Sequence, residues 1–327
     1  MNSTYKNITD ILDSQHQHLL NNVNFRPIFI MGDHRSGTTL LHKTLVGTEC
    51  FNFVQAYHVI KYGEILHNYI NKNETELKEK IDELLISQGI KTRGIDEVEV
   101  NSNLPTEYGF ILKNAGYESF LNHENLSLFI ELCQKIQFIS KLNKPLLLKN
   151  PWDFPRFINV KNAFREAKFI FIHRHPIDVI NSKLKAMRTL LSSFNPYTAL
   201  ISKQYEKIFN NPIQRFFVLA NYSSYFELGL SRVIKGTVES TSYFLDNIEL
   251  LSSSDYISVK YEDICKSPEA TILKILEFLE LEPTVNLNYE QLIKPRPVKL
   301  LPEVERNYNK ICQQLNSYLT YHDYYVS

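Results

Sequence analysis

The 327-residue chain has no excess charge of either sign, with 36 lysines and arginines against 36 aspartates and glutamates. No global field therefore steers it onto nucleic acid or an anionic membrane, and any anion site must be built locally. Long apolar runs are also missing. The longest, such as residues 27–31 and 169–172, fall far short of the roughly 20 residues that cross a bilayer, which excludes a transmembrane helix. Cysteine is scarce: Cys50, Cys133, Cys265 and Cys312 stand singly, without CxxC spacing or a histidine companion, so buried free thiols are expected rather than a zinc module or a disulfide framework. Residues 1–24 lack the basic start and apolar block of a secretory signal, so a cytoplasmic location is expected. The Asn-x-Ser/Thr triplets at Asn2, Asn7, Asn73, Asn125 and Asn221 then carry no weight as glycosylation sites. No Gly/Ser-rich or Pro-rich linker, internal repeat or step in composition marks a boundary, so a single domain over residues 1–327 is expected.

What is present is an ordinary globular composition, 43% hydrophobic and 12% aromatic. Four short runs, residues 27–31, 145–149, 168–173 and 255–260, have the β-branched and aromatic character of buried parallel strands. Each is followed by a turn and a helical pattern. Pro176 suits a first helical turn, and Ser267-Pro268-Glu269 reads as an N-cap, a first-turn proline and an acid on the helix dipole. This βα alternation predicts an α/β fold of three layers, α/β/α, around a central parallel sheet. Two long, mostly helical insertions, about residues 55–142 and 192–251, are expected to cap it. The second carries Phe194, Tyr197, Tyr205, Phe209, Phe216, Phe217, Tyr222, Tyr225 and Phe226, most of which helical spacing assigns to the core.

Directly after the first run comes Gly32-Asp-His-Arg35-Ser36-Gly37-Thr38-Thr39, leading into a helix that starts near Leu40. A strand, a small-residue loop and a helix N-terminus aim several backbone N–H groups and a positive dipole end at one point, which makes an anion site. The spacing mimics a phosphate-binding P-loop. However, the lysine such a loop uses on a terminal phosphate is replaced by Thr38, and the cation is Arg35 instead. The third run ends in His173-Arg174, where a metal–nucleotide enzyme would carry an aspartate for Mg²⁺. Arg174 at a strand end, with Ser182 two turns into the next helix, reads equally as a second anion site beside the dipole of the helix starting at Pro176 or as an ion pair of Arg174 with Asp178 and a Ser182 facing solvent. Two anion sites imply one ligand with two separated anionic groups. His173 and His175 alternate without a third ligand, so no metal is expected there.

Together these segments resemble the sulfotransferases that use 3'-phosphoadenosine 5'-phosphosulfate. The family's 5'-phosphosulfate loop resembles Arg35-Ser36-Gly37-Thr38-Thr39-Leu40, and its 3'-phosphate motif of an arginine and a serine eight positions later resembles Arg174 and Ser182. Leu147-Leu-Lys149-Asn-Pro and Val259-Lys-Tyr261-Glu-Asp-Ile are further echoes. The resemblance implies a P-loop-like fold and an enzyme that needs no metal and moves a sulfuryl group to the hydroxyl of a small acceptor. Its implied site is Arg35, Ser36, Gly37, Thr38, Thr39, Arg174, Ser182 and Tyr261 on the nucleotide, with Lys149 and Arg35 on the transferring group. Some members close over the nucleotide with an Arg-Lys-Gly sequence. Its nearest equivalent here is Lys294-Pro-Arg296-Pro-Val-Lys299, which makes Arg296 a further candidate. The base that the resemblance implies is Glu107, in a Pro-x-Glu segment expected to start a helix, where it would otherwise serve only the helix dipole; His58 is the second candidate. The aromatic insertion leans towards an apolar acceptor such as a sterol or lipid. The same anion loops leave two other readings open, an ATP-dependent phosphotransferase with a degenerate loop and a non-catalytic nucleotide-binding module.

Overall fold

Strands β1 (Pro27–Met31), β2 (Asn52–Phe53), β3 (Leu146–Lys149), β4 (Lys168–His173) and β5 (Tyr256–Lys260) form one all-parallel sheet in the order β2-β3-β1-β4-β5. The computed structural model describes residues 12–96, 98–140, 143–222, 228–293 and 297–324. Every residue of β1 and β3 is buried, and so are the last five of β4, which is why these strands read as continuous apolar runs rather than alternating ones. The short edge strand β2 has no such run in the sequence. Two residues suffice for it because Asn52 and Phe53 only extend the pairing of Leu146 and Leu147.

Helix α1 (Thr38–Gly47) follows β1. Between β2 and β3 lie α2 (Ala56–Ile60), α3 (Gly109–Asn114) and α4 (Leu126–Ile139), among other short helices. Residues 88–96 and 98–108 of this insertion are irregular rather than helical, tied by the bridges Thr92–Glu99 and Gln55–Pro105. Helix α5 (Pro176–Ser192) follows β4 and opens on its proline as expected. The second insertion contains α6 (Pro212–Asn221) and α7 (Leu228–Asn247), and β5 runs into α8 (Tyr261–Lys266) and α9 (Pro268–Phe278). Ser267 precedes α9 but caps it only with its backbone carbonyl, which accepts from the Thr271 N–H, since its side chain makes no cap bond.

The pleat sorts side chains onto two cores. Phe29, Met31, Leu146, Leu148, Phe169 and Phe171 face Tyr108, Phe129, Phe157 and Phe244, while Ile28, Ile30, Leu147, Ile170 and Ile172 face Leu41, Leu45, Ile272 and Ile275. A third cluster joins α5 and α7 to the C-terminal helices through Ile180, Leu184, Val233, Val304 and Leu319. The expected α/β/α layering is therefore present.

The aromatic insertion departs from expectation. Tyr197 and Tyr205 are buried, but Phe194, Phe216 and Phe217 are 49%, 67% and 61% exposed. For Phe216 and Phe217 the reason is local: α6 buries none of its residues. Tyr225 and Phe226 lie outside the described residues. The thiols of Cys50, Cys133 and Cys312 are buried and free, and that of Cys265 is half-buried and free. Among the described residues, no helix is long and apolar enough to cross a membrane.

Phe171 lies in the middle of the sheet, with the rings of Phe154, Phe157, Phe169, Phe244 and Tyr256 around it. Phe171→Ala should lower unfolding free energy by about 3–5 kcal/mol, read from urea denaturation midpoints. A loss under about 1 kcal/mol would contradict this packing.

Candidate active site

The strand order places β1 between β3 and β4, with Ile30 beside Lys149 and Met31 beside Phe171. The carboxyl ends of these three strands therefore deliver the Gly32–Gly37 loop, Lys149 and Arg174 to one crevice, where open α/β sheets bind ligands. The loop is tight. A Cβ on Gly32 would lie 2.7 Å from the Ile172 carbonyl oxygen and from Ser36 Oγ. Gly37 has φ +103° and its backbone faces the Tyr261 ring, 2.5 Å from where a Cβ would stand. Arg35 also adopts positive φ, 72°, so the backbone turns sharply just before the N-terminus of α1. Helix α1 starts at Thr38, two residues earlier than the sequence suggests.

The second motif closes onto the first. Arg35 Nε donates to Ser182 Oγ at 3.0 Å, and Arg174 Nη1 donates to the Arg35 carbonyl at 3.3 Å. The Arg174 guanidinium lies over the Tyr261 ring at 4.3 Å and reaches Asp178 at 3.6 Å. Arg35, Gly37, Arg174, Ser182 and Tyr261 are thus brought together. Two polar atoms here, Ser36 Oγ and Arg174 Nε, are buried without a hydrogen-bond partner. Because such atoms are costly to leave unpaired, they mark donors shaped for an anionic group, and the residues fit a nucleotide carrying two phosphates.

Lys149 is fully buried rather than exposed at its strand end. Its Nζ donates to Glu107 Oε1 at 2.6 Å and to Thr39 Oγ1 at 3.1 Å. Burial alone would raise the Glu107 carboxyl, but the Lys149 ammonium and the Arg93 guanidinium overcome it and hold it down to about 2. Burial also pushes Lys149 below its usual range, against the pull of Glu107. The ion pair is the ground state, because the ammonium has two acceptors and the carboxylate stays ionised far below neutrality. Glu107 stands just before α3 rather than in its first turn, so its charge is aimed at Lys149 and does not serve the helix.

The other base candidate, His58, serves a different purpose. It is buried, and its Nδ1 accepts the Gln55 backbone N–H at 3.1 Å, which closes the cap of α2. Burial pushes its pKa down to about 3. Arg296 lies outside the described residues. His173 is buried and hydrogen-bonded to Tyr318 at 2.8 Å, so it is a packing residue.

Several residues at the site carry no sequence signal. Arg93, from the irregular stretch, donates to Asp96 through Nε at 3.1 Å and to Thr39 Oγ1 through Nη2 at 3.4 Å, and Asp96 also receives Arg35 Nη1 at 3.4 Å. Burial works against the Asp96 charge, yet Arg93 and Arg35 hold its carboxyl below the usual range. His34, in the loop itself, packs edge-on against Trp152 with ring centroids 4.9 Å apart. Burial pushes it down to about 4, so it is neutral near pH 7. His42, one turn into α1, is buried with both ring nitrogens unpartnered. Arg93 and Asp96 belong to no recognisable spacing, since they meet the loop only through folding. A wider surface depression lined by residues 266–270 and 286–290 contains none of these groups.

A parallel sheet with a glycine loop and a cation cluster at its carboxyl end defines an anion-binding α/β protein of the P-loop kind. Residues 27–285 match the profile of the sulfotransferase family, and the chain belongs to that family. It is 24% identical over 280 residues to the omega-hydroxy-beta-dihydromenaquinone-9 sulfotransferase Stf3 of Mycobacterium bovis, and equally to that of Mycobacterium tuberculosis. That alignment covers 78% of this chain and 63% of these relatives. Its fold is similar to that of sulfotransferase STF9 from Mycobacterium avium, with TM-score 0.67 and 13% identity over 95% of this chain and 80% of that one. Sulfotransferase STF1 from Mycobacterium tuberculosis is also similar, with TM-score 0.56 and 13% identity over 94% and 80%.

The depressed Glu107 pKa has a defined sign. Its contribution to stability is fully present above the unfolded-state value, about 4.3, and is lost as pH falls through the folded value of about 2. Wild-type protein should lose on the order of 3 kcal/mol between pH 6 and pH 2 that Glu107→Gln does not lose. Urea melts of both proteins across that range check this, and parallel pH profiles would contradict the ion pair.

Proposed function

We propose that the protein transfers a sulfuryl group from 3'-phosphoadenosine 5'-phosphosulfate to the hydroxyl of a small, apolar acceptor. The observation that carries this reading is the meeting of Arg35, Arg174, Ser182 and the Gly37 turn at one point, with Lys149 and Glu107 linked to them through Thr39. When bound, the nucleotide supplies the activated sulfuryl group: its S–O bond to the 5'-phosphate breaks with the electron pair left on the phosphate, while the acceptor oxygen bonds sulfur and gives up its proton.

Arg174 and Ser182 hold the 3'-phosphate, with Tyr261 flanking the arginine, and the loop amides with Ser36, Thr38 and Thr39 hold the 5'-phosphosulfate. Arg35 reaches Ser182 through its guanidinium and accepts from Arg174 through its backbone carbonyl, so it links the two anion sites. Lys149, buried and aimed at Thr39, neutralises charge on the bridging oxygen and needs no metal to do so. Glu107 takes the acceptor proton. A carboxylate held near pKa 2 is a weak base towards a free alcohol, but the proton leaves as the oxygen bonds sulfur, when that oxygen is far more acidic.

For the acceptor, the name of the mycobacterial relative supports a hydroxylated apolar molecule. The exposed rings of Phe194, Phe216 and Phe217 support the same class.

Calorimetric titration without metal should show tight binding of 3',5'-adenosine bisphosphate and weak binding of ADP. Preference for ATP with Mg²⁺ would overturn the reading in favour of phosphoryl transfer. Arg174→Ala should weaken the bisphosphate by about tenfold or more while leaving its 3'-dephospho analogue nearly unchanged. Glu107→Gln should keep nucleotide affinity and lower turnover of an apolar alcohol about 10²-fold. An unchanged rate would move the proton to another group.

A further inference from the structure

The irregular stretch over residues 91–96 and 98–100 is where the site differs most from what its motifs announce. It is a short double-backed segment, closed by Arg93 N–H to the Val98 carbonyl at 3.0 Å and Val100 N–H to the Lys91 carbonyl at 3.1 Å. From outside, Asn195 Nδ2 holds the Arg93 carbonyl at 3.2 Å, so the second insertion presses this segment onto the loop. The segment contributes a cation and an anion. Arg93, with its side chain 11% exposed, approaches Thr39 Oγ1 from one side at 3.4 Å, while Lys149 Nζ approaches the same oxygen at 3.1 Å. Two cations thus straddle one hydroxyl of the anion loop, on the side where Glu107 stands. Asp96 is the anion, and it binds the guanidinium groups of both Arg35 and Arg93.

We propose that Arg93 is a catalytic residue that grips the transferring sulfuryl group beside Lys149, and that Asp96 is an internal carboxylate competitor that the anionic donor must displace from Arg35 and Arg93. The inference rests on the sulfuryl-transfer reading above. A carboxylate presents the same planar, bidentate acceptor to a guanidinium as an edge of a sulfonate or phosphate does. Asp96 therefore occupies the donors that such a group would claim. The arrangement also answers a physical problem. Burial first, and then the neighbouring guanidinium groups of Arg93 and Arg174, push Arg35 below its usual range, so like charges crowd this region. Without a carboxylate, holding them ready for an anion would be costly. Asp96 offsets that repulsion, and its consequence is a lower apparent donor affinity, since the open arrangement is only part of the population. In the reaction, Arg93 forms and breaks no bond. It holds the partly negative sulfuryl oxygens in line between acceptor and phosphate while the electron pair of the breaking bond passes to the bridging oxygen.

The test uses the full chain and two probes, 3'-phosphoadenosine 5'-phosphosulfate and 3',5'-adenosine bisphosphate, which differ by the sulfuryl group. Arg93→Gln should weaken the sulfated probe about tenfold and leave the bisphosphate within about twofold, and Arg93→Lys should recover part of that difference. Asp96→Asn, which keeps the shape and removes the charge, should bind the sulfated probe about five- to tenfold more tightly. Equal losses on both probes for Arg93→Gln, or an Asp96→Asn affinity no better than wild type, would overturn the proposal, because a purely structural ion pair predicts those results. Should Arg93→Gln not fold, Arg93→Lys and Asp96→Asn decide by the same two comparisons. Wild-type protein binding neither probe would instead sink the sulfuryl-transfer reading itself, and the inference with it.

Discussion

Like-charge crowding is the constraint around which this site is organised. Arg35, Arg93, Arg174 and Lys149 gather at the carboxyl ends of three neighbouring strands, where a net-neutral chain must concentrate positive charge if it is to bind an anion. Each cation is matched by a carboxylate: Asp96 for Arg35 and Arg93, Asp178 for Arg174, and Glu107 for Lys149. The matched pairs run as one connected series from Ser182 through Arg35, Asp96, Arg93, Thr39 and Lys149 to Glu107. The two motifs are therefore electrostatically one unit, and a substitution at any member is felt along the series.

The sheet makes this gathering possible. Its all-parallel order sends every strand's carboxyl end the same way, and placing β1 between β3 and β4 sets three loops side by side. Two apolar cores hold the sheet from both faces, so the strand ends are fixed to the precision of packed side chains. The rigidity has local expression at Gly37, where a Cβ would collide with Tyr261, the residue that also flanks Arg174. Loop, aromatic ring and second arginine thus constrain one another.

The insertions add what the sheet cannot supply. The first brings Arg93, Asp96 and Glu107 to the loop, and the second braces that segment through Asn195. Glu107 is read best in this light. Its low pKa comes from the cations it faces, which outweigh the cost of its burial.

The strands, the anion loop and the Arg174–Ser182 pair are legible in the linear chain because each is a local pattern. A fully buried parallel strand must be a continuous apolar run, and an anion loop needs its glycines and hydroxyls in consecutive positions. The edge strand β2 was not legible, since two residues make no pattern. Burial of the α6 aromatics was misjudged from helical spacing, which reports a shared face but not whether a neighbour covers it. Lys149 is legible in the chain only through the family resemblance, which says nothing of its burial, and Arg93 and Asp96 read as part of a helical insertion. Their roles arise from contacts spanning tens of residues: 54 between Arg93 and Thr39, 61 between Arg35 and Asp96, 42 between Lys149 and Glu107. Spacing along a chain carries chemistry only as far as one strand, turn or helix keeps residues in register. Beyond that, which charges meet depends on topology and on the cost of burying them unpaired.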